Sequence, residues 1–189
     1  MQPEHDDRRT RRTRQLLRDA FVALLKEKRY EDISVQDIIE RADVGRSTFY
    51  VHYEGKEDLL VGREGIFASN LAHQAAHGHV ILNEENWLSM LVWFQHIQAQ
   101  AGILKVIVRD PAMDLAMKTL YGLIHDDVEQ RIQRKMLTVG DNTIPSDIAT
   151  DFLTGTLMTL IRWWVKQGMT LPPKQMDEMF QKLTAAGIS

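Results

Sequence analysis

From Thr13 onward, Leu17, Phe21, Leu24 and Leu25 recur at three- and four-residue spacing, flanked by Leu16 and Ala20, and predict an amphipathic helix of about four turns. The rhythm stops at "KEKRYEDI", where Tyr30 and Ile33 are placed to fold back on the core. Ser34 then opens "SVQDIIERA", and Asp37 three residues later gives the spacing of a capping box. Val35, Ile38, Ile39 and Ala42 form the inward stripe of this second helix. A short turn, "DVG", leads into a third helix in "RSTFYVHY", which Gly55 ends before "KEDLL" begins a fourth. Two short helices across a tight turn, braced by a longer one, make a helix-turn-helix arrangement.

The rest of the chain carries helical periodicity near 57–78, 84–101, 103–109, 112–137, 146–168 and 173–186. "ILKVIV" at 103–108 is β-prone by composition, but its helical neighbours make it a short buried helix. The expected fold class is therefore all-α: an N-terminal three-helix unit over 1–55 and a C-terminal helical bundle over 56–189. Helix 146–168 differs from the others because Ile148, Phe152, Leu153, Leu157, Met158, Leu160, Ile161, Trp163, Trp164 and Val165 surround most of it. Such a helix is expected to be covered on more than one side, the extra side by a second subunit; Gly155 would let a neighbouring helix approach closely. The last helix, with Met176, Met179, Phe180 and Leu183 on one face, is placed to complete that bundle with its copy.

Composition narrows the function. There is no cysteine among the 189 residues, which excludes disulfides, thiolate metal sites and cysteine nucleophiles. No apolar run approaches the roughly 20 residues of a spanning helix, and "MQPEHDDRRTRRTR" holds no signal-like apolar segment, so a cytoplasmic location is expected. The net charge is −3, yet Arg8, Arg9, Arg11, Arg12, Arg14 and Arg18 fall close together with no acid among them. This local basic arm or helix start, more than the sum, bears on a polyanionic partner.

"SVQDIIERADVGRSTFYVHYEGKEDLL" resembles the DNA-binding domain of the TetR/AcrR family of transcriptional regulators. Ser34, Ile38, Ile39, Ala42, Val44, Phe49, Tyr50, Tyr53, Lys56, Glu57 and Leu59 carry the match over roughly residues 12–62, and "LIRWWVKQGMTLPPKQMDEMF" is similar to the ending of many members. Two positions depart from the pattern: Asp43 stands where the turn usually has glycine, and Gly45 where the recognition helix usually opens on serine or threonine. Aspartate tolerates left-handed backbone angles and glycine is an acceptable N-cap, so only a hydroxyl–phosphate contact is lost.

The resemblance implies a homodimeric repressor, released from a palindromic operator in double-stranded DNA by a small-molecule effector. It assigns Arg46, Ser47, Thr48, Tyr50 and His52 to the major groove and adjacent phosphates, Ser34 and Gln36 to the backbone of the groove wall, and Lys56 to a phosphate. The arginines before residue 15 would follow the minor groove or the phosphates. Phe49 and Tyr53 are read as core. Effector binding falls to Trp87, Met90, Trp93, Met117, Tyr121 and Trp163, large or pliable residues that serve equally well as core.

Other readings use the same residues. An activator, or a co-regulator answering to a protein partner, would share the fold. A helical metalloprotein or enzyme would use histidines: His73 and His77 lie four apart, with His79 close by and His96 and His125 elsewhere, a spacing able to hold zinc or nickel. Cysteine is absent and nearby carboxylates are sparse, so no metal and no cofactor are expected. Asp126, Asp127 and Glu129 read as a solvated face. With no nucleophile–base pair, glycine-rich phosphate loop or paired buried carboxylates, the expectation is a protein that is not an enzyme.

Overall fold

A computed structural model describes residues 3–62, 65–66, 87–108, 110–139 and 144–185. Among these residues the secondary structure is helical and no strand occurs. The elements are α1 (Pro3–Glu27), a 3-10 turn (Tyr30–Asp32), α2 (Val35–Ala42), α3 (Arg46–His52), α4 (Lys56–Val61), α5 (Leu91–Ala99), α6 (Ala101–Ile107), α7 (Ala112–Val139), α8 (Ser146–Lys166) and α9 (Pro173–Ala185). The described residues fall into two compact units: through Ile66 together with 110–116, and 87–108 with 117–185.

In the first unit, α1 starts at Pro3, ten residues before Thr13, so the arginine cluster lies on a helix and not on an extended arm. Arginine is a good helix former and Pro3 occupies the first helical position, where its missing N–H costs nothing. Leu17, Phe21, Leu24 and Leu25 are buried as the spacing predicts, against the buried Ile38 and Ile39 of α2. Ser34 caps α2 through a complete capping box: its hydroxyl accepts from Asp37 N–H at 3.1 Å, and Asp37 Oδ2 accepts the Ser34 N–H at 2.7 Å. Asp43 closes the helix in the left-handed region, φ 51° and ψ 48°.

The 3-10 turn between α1 and α2 is held from two sides. Tyr30 is buried with its ring 6.2 Å from that of Phe21, and burial, with Glu57 and Asp110 nearby, pushes its phenol up to about 12. Asp110 Oδ2 accepts the Tyr30 N–H at 3.0 Å, while Oδ1 accepts the Ala112 N–H at 2.9 Å and so caps α7. Leu59 and Leu60 of α4 are fully buried, and the first compact unit includes α4 and residues 110–116.

In the second unit, helix α5 begins at Leu91, later than the periodicity from residue 84 suggests. Asp177 accepts the Met90 N–H at 2.6 Å and the Ser89 hydroxyl at 3.0 Å, and the Arg131 guanidinium donates to the carbonyls of Trp87 and Ser89. These long-range partners hold residues 87–90 in a non-helical approach that no local pattern encodes. The "ILKVIV" stretch forms α6, with Ile103, Leu104 and Ile107 buried. Helix α9 packs on α5 and α8, and the Phe94 and Trp164 rings meet edge-on at 5.8 Å.

Candidate nucleic-acid interface

Helix α3 is fixed to the first unit by one side only. Phe49 and Tyr53 are buried and their rings lie 5.9 Å apart, while Tyr50 is 51% exposed and meets the edge of Phe49 at 5.4 Å. Arg46, Ser47 and Thr48 are exposed and His52 half-buried. Partial burial, with the Arg14 charge nearby, lowers the His52 pKa and favours its neutral form, in which one ring nitrogen donates and the other accepts. The N-terminal end of α3 has no side-chain cap; Gly45 is extended there at φ −64° and ψ 146°, a conformation open to any residue.

The two flanking assignments come out differently. Gln36 is exposed and its amide donates to Glu40 at 2.6 Å, whereas the Ser34 hydroxyl and N–H are both engaged with Asp37. Lys56, assigned to a phosphate from the sequence, points its ammonium into the scaffold. It donates to the carbonyls of Tyr30 at 2.9 Å, Ile33 at 2.8 Å and Glu31 at 3.3 Å, and sits 4.4 Å from the centre of the Tyr30 ring. Three carbonyls converging on one side outcompete water for a compact three-donor cation, so in this structure Lys56 is a clasp of the 3-10 turn.

Electrostatics favour a polyanion despite the charge sum. Asp37 pairs with Lys28 at 2.8 Å, and bonds from Lys28 and Ser34 hold its carboxyl well below the usual range. Glu27 pairs with Arg41, Asp58 accepts the Glu54 N–H, and Asp110 is turned to the 3-10 turn. Arg8, Arg9, Arg11 and Arg12 are exposed along α1.

Val51 was given no role from the sequence. It is 77% exposed, more than any other large apolar residue among those described, and it lies on the outward side of α3 with Ser47. The helical register contained the signal: Val51 lies midway between Phe49 and Tyr53, the two rings read as core, and so falls on the opposite side.

The six effector candidates differ in exposure. Met90, Trp93 and Met117 are buried, Trp87 is half-buried, and Tyr121 and Trp163 are exposed. Trp93 spends its indole N–H on Asp127 at 2.7 Å. In the same unit the Gln100 amide nitrogen and the Thr154 hydroxyl are buried with no hydrogen-bond partner among the described residues. His73, His77 and His79 lie outside the described residues. His96 is buried. Among the described residues, His125, Asp126 and Glu129 bring ligand atoms within 4.8 Å of one another on a largely exposed surface, where His125 also stacks on Tyr121.

Residues 17–62 match the family model described as bacterial regulatory proteins of the tetR family, and residues 85–185 match a model for the C-terminal region of transcriptional regulators. An uncharacterised HTH-type transcriptional regulator of Bacillus subtilis, YxbF, is 47% identical over 55 residues; the aligned stretch covers 29% of this chain and only 14% of that relative. A TetR transcriptional regulator from Streptococcus agalactiae shares the fold at a TM-score of 0.61 and 26% identity, covering 94% of this chain and 96% of its own. A TetR-family structure from Syntrophomonas wolfei reaches a TM-score of 0.68 at 18% identity, covering 96% of both chains. A dihydroxyacetone kinase operon activator, DhaS, reaches 0.58 at 18%, covering 93% of this chain and 96% of that one.

Proposed function

Because the chain belongs to the TetR family of transcriptional regulators, we propose that it is a homodimeric repressor that reads a palindromic operator with α3 and is released by a small-molecule effector. The observation that carries the DNA-reading part is the division of α3: two buried rings on its inner side, and Arg46, Ser47, Thr48 and Tyr50 exposed on the rest. Arg46 offers the paired donors that suit guanine O6 and N7, and the hydroxyls suit base edges or phosphates. The arginines of α1 supply sequence-independent attraction.

Dimerisation is supported by an exposed apolar stripe among the described residues. Ile148, Phe152 and Trp163 recur along α8 and are exposed, with Gly155 and Thr159 between them, and Leu183 is exposed on α9. A side chain at Gly155 would meet nothing within 4 Å, which leaves room for a helix of a second copy. The effector is supported by the buried, unpartnered Gln100 amide and Thr154 hydroxyl: each orphaned polar group costs about 1–3 kcal/mol unless a bound molecule supplies the missing bond. A ligand with at least one acceptor and an apolar body fits that setting.

Activation in place of repression is the second reading, supported by the structural neighbour named as an operon activator. The test begins with selection from a random duplex library. The expected product is an inverted repeat whose half-sites lie about 34–36 Å apart, bound with affinity that falls steeply with salt. Failure to enrich any sequence refutes the DNA-reading assignment. A reporter driven from the selected site then separates repression from activation.

A further inference from the structure

We infer that Val51 reads the 5-methyl group of a thymine in the major groove and is a specificity-determining residue of α3. The inference rests on the proposed DNA-reading role of that helix and adds to it a residue and a chemistry. At about 100° per residue, Val51 lies about 180° round the helix from the midpoint between Phe49 and Tyr53. Phe49 is the residue α3 buries and Tyr53, its C-cap, is buried beside it, so Val51 is aimed away from the scaffold. Ser47, one turn earlier, shares this crown, with Thr48 and Tyr50 on either side of it, while Arg46 leaves the helix nearer its inner side. The exposure of 77% agrees; the next most exposed large apolar residues stand at 57%.

Val51 has no evident structural reason to be valine. A β-branched residue is a poorer helix former than alanine, and at this exposure little packing offsets that. Its two methyl groups give the crown a branched apolar tip beside the Ser47 and Thr48 hydroxyls, which are suited to hydrogen bonding. In the major groove each base pair offers donors and acceptors, and thymine alone adds a methyl group. A branched apolar tip therefore matches the one apolar mark that the groove displays, and covering it removes two hydrophobic surfaces from water at once.

The test uses the full-length protein and the site it selects. Each thymine is replaced singly by uracil, which pairs identically and lacks only the methyl group. The wild type is expected to lose about fourfold in affinity at one thymine of each half-site, the effect of about one buried methyl-sized group, and little elsewhere. Val51→Ala removes the partner, and alanine favours the helix, so its fold is retained and can be checked by circular dichroism. This variant is expected to bind the unmodified site about fourfold more weakly per half-site and to become indifferent to uracil at that position, as two groups in contact do. Val51→Thr, keeping one methyl, should fall between. A wild type indifferent to uracil at every position overturns the inference, as does a Val51→Ala protein that keeps the full uracil penalty. A protein that enriches no sequence overturns the DNA-reading assignment first, and the inference with it.

Discussion

Lys56 gives the sharpest test, because the two roles open to it predict opposite results. In the structure its ammonium donates to the carbonyls of Tyr30 and Ile33 at 2.9 and 2.8 Å, more weakly to Glu31 at 3.3 Å, and lies over the Tyr30 ring. The site is half-buried, so the two short charge-assisted bonds are discounted to about 1 kcal/mol each. The cation–π contact adds about 0.5–1 kcal/mol. Lys56→Met keeps the aliphatic stem and removes the ammonium, for an expected loss of roughly 2–3 kcal/mol, or a Tm lowered by roughly 5–10 °C in a chain of this size. Lys56→Arg should lose most of the same stability, because a planar fork cannot converge on three carbonyls. The slope of log affinity against log salt should stay unchanged for both variants wherever they remain folded. A phosphate-binding Lys56 would instead leave Tm within about 1 °C in Lys56→Met, reduce the slope by about 0.9 per protomer, and be rescued by arginine. That pattern would refute the clasp.

Ser34→Ala removes the capping box and is expected to cost about 1 kcal/mol in denaturant unfolding. The depressed Asp37 carboxyl contributes stability that is present above its unfolded value of 3.8 and is lost as pH falls below it, so the acid limb of the wild-type stability curve below about pH 4 should be shallower in Ser34→Ala. Gly45→Ser should raise stability by a few tenths of a kcal/mol, since Gly45 is already extended and a side chain there meets only Thr48 Oγ1 at 3.8 Å. The same hydroxyl should tighten DNA binding without changing the selected sequence. Phe152→Glu, at an exposed position of α8, should yield a folded monomer by analytical ultracentrifugation; a dimer of unchanged affinity would exclude this stripe as the interface.

The sequence displayed the first unit almost completely because its determinants are local. Ser34 and Asp37 make their capping box within four residues, Asp43 supplies its own left-handed turn, and the Phe49–Tyr53 spacing defines the inner side of α3. Lys56 and Asp110 were opaque for the opposite reason. Lys56 finds its acceptors more than 20 residues away, and Asp110 reaches Tyr30 across 80, so neither the charge nor its neighbours in sequence say where it goes. The start of α5 failed likewise, since Asp177 and Arg131 determine it from other helices. In the second unit an aromatic inventory could not separate core from surface: Trp93 and Trp163 look alike in sequence, yet one is buried with its N–H on Asp127 and the other is exposed.

The charge balance shows how far a sum can mislead about a partner. Counting residues 1–60 gives 13 acids against 12 bases, which argues against a polyanion. Several carboxylates, however, are engaged at the surface by tasks that fold the unit: Asp37 caps α2 and holds Lys28, Glu27 holds Arg41, and Asp58 accepts the backbone N–H of Glu54. A carboxylate within a few ångströms of a cation or donor cancels much of its own field beyond about 8–10 Å at physiological salt. Arg8, Arg9, Arg11 and Arg12 of α1 and Arg46 of α3 are exposed, and residues 8–18 contain no acid. Each such pair removes one charge of either sign and leaves the balance as it was, so what the duplex encounters is decided by where the remaining charges lie, and the exposed arginines of α1 gather there.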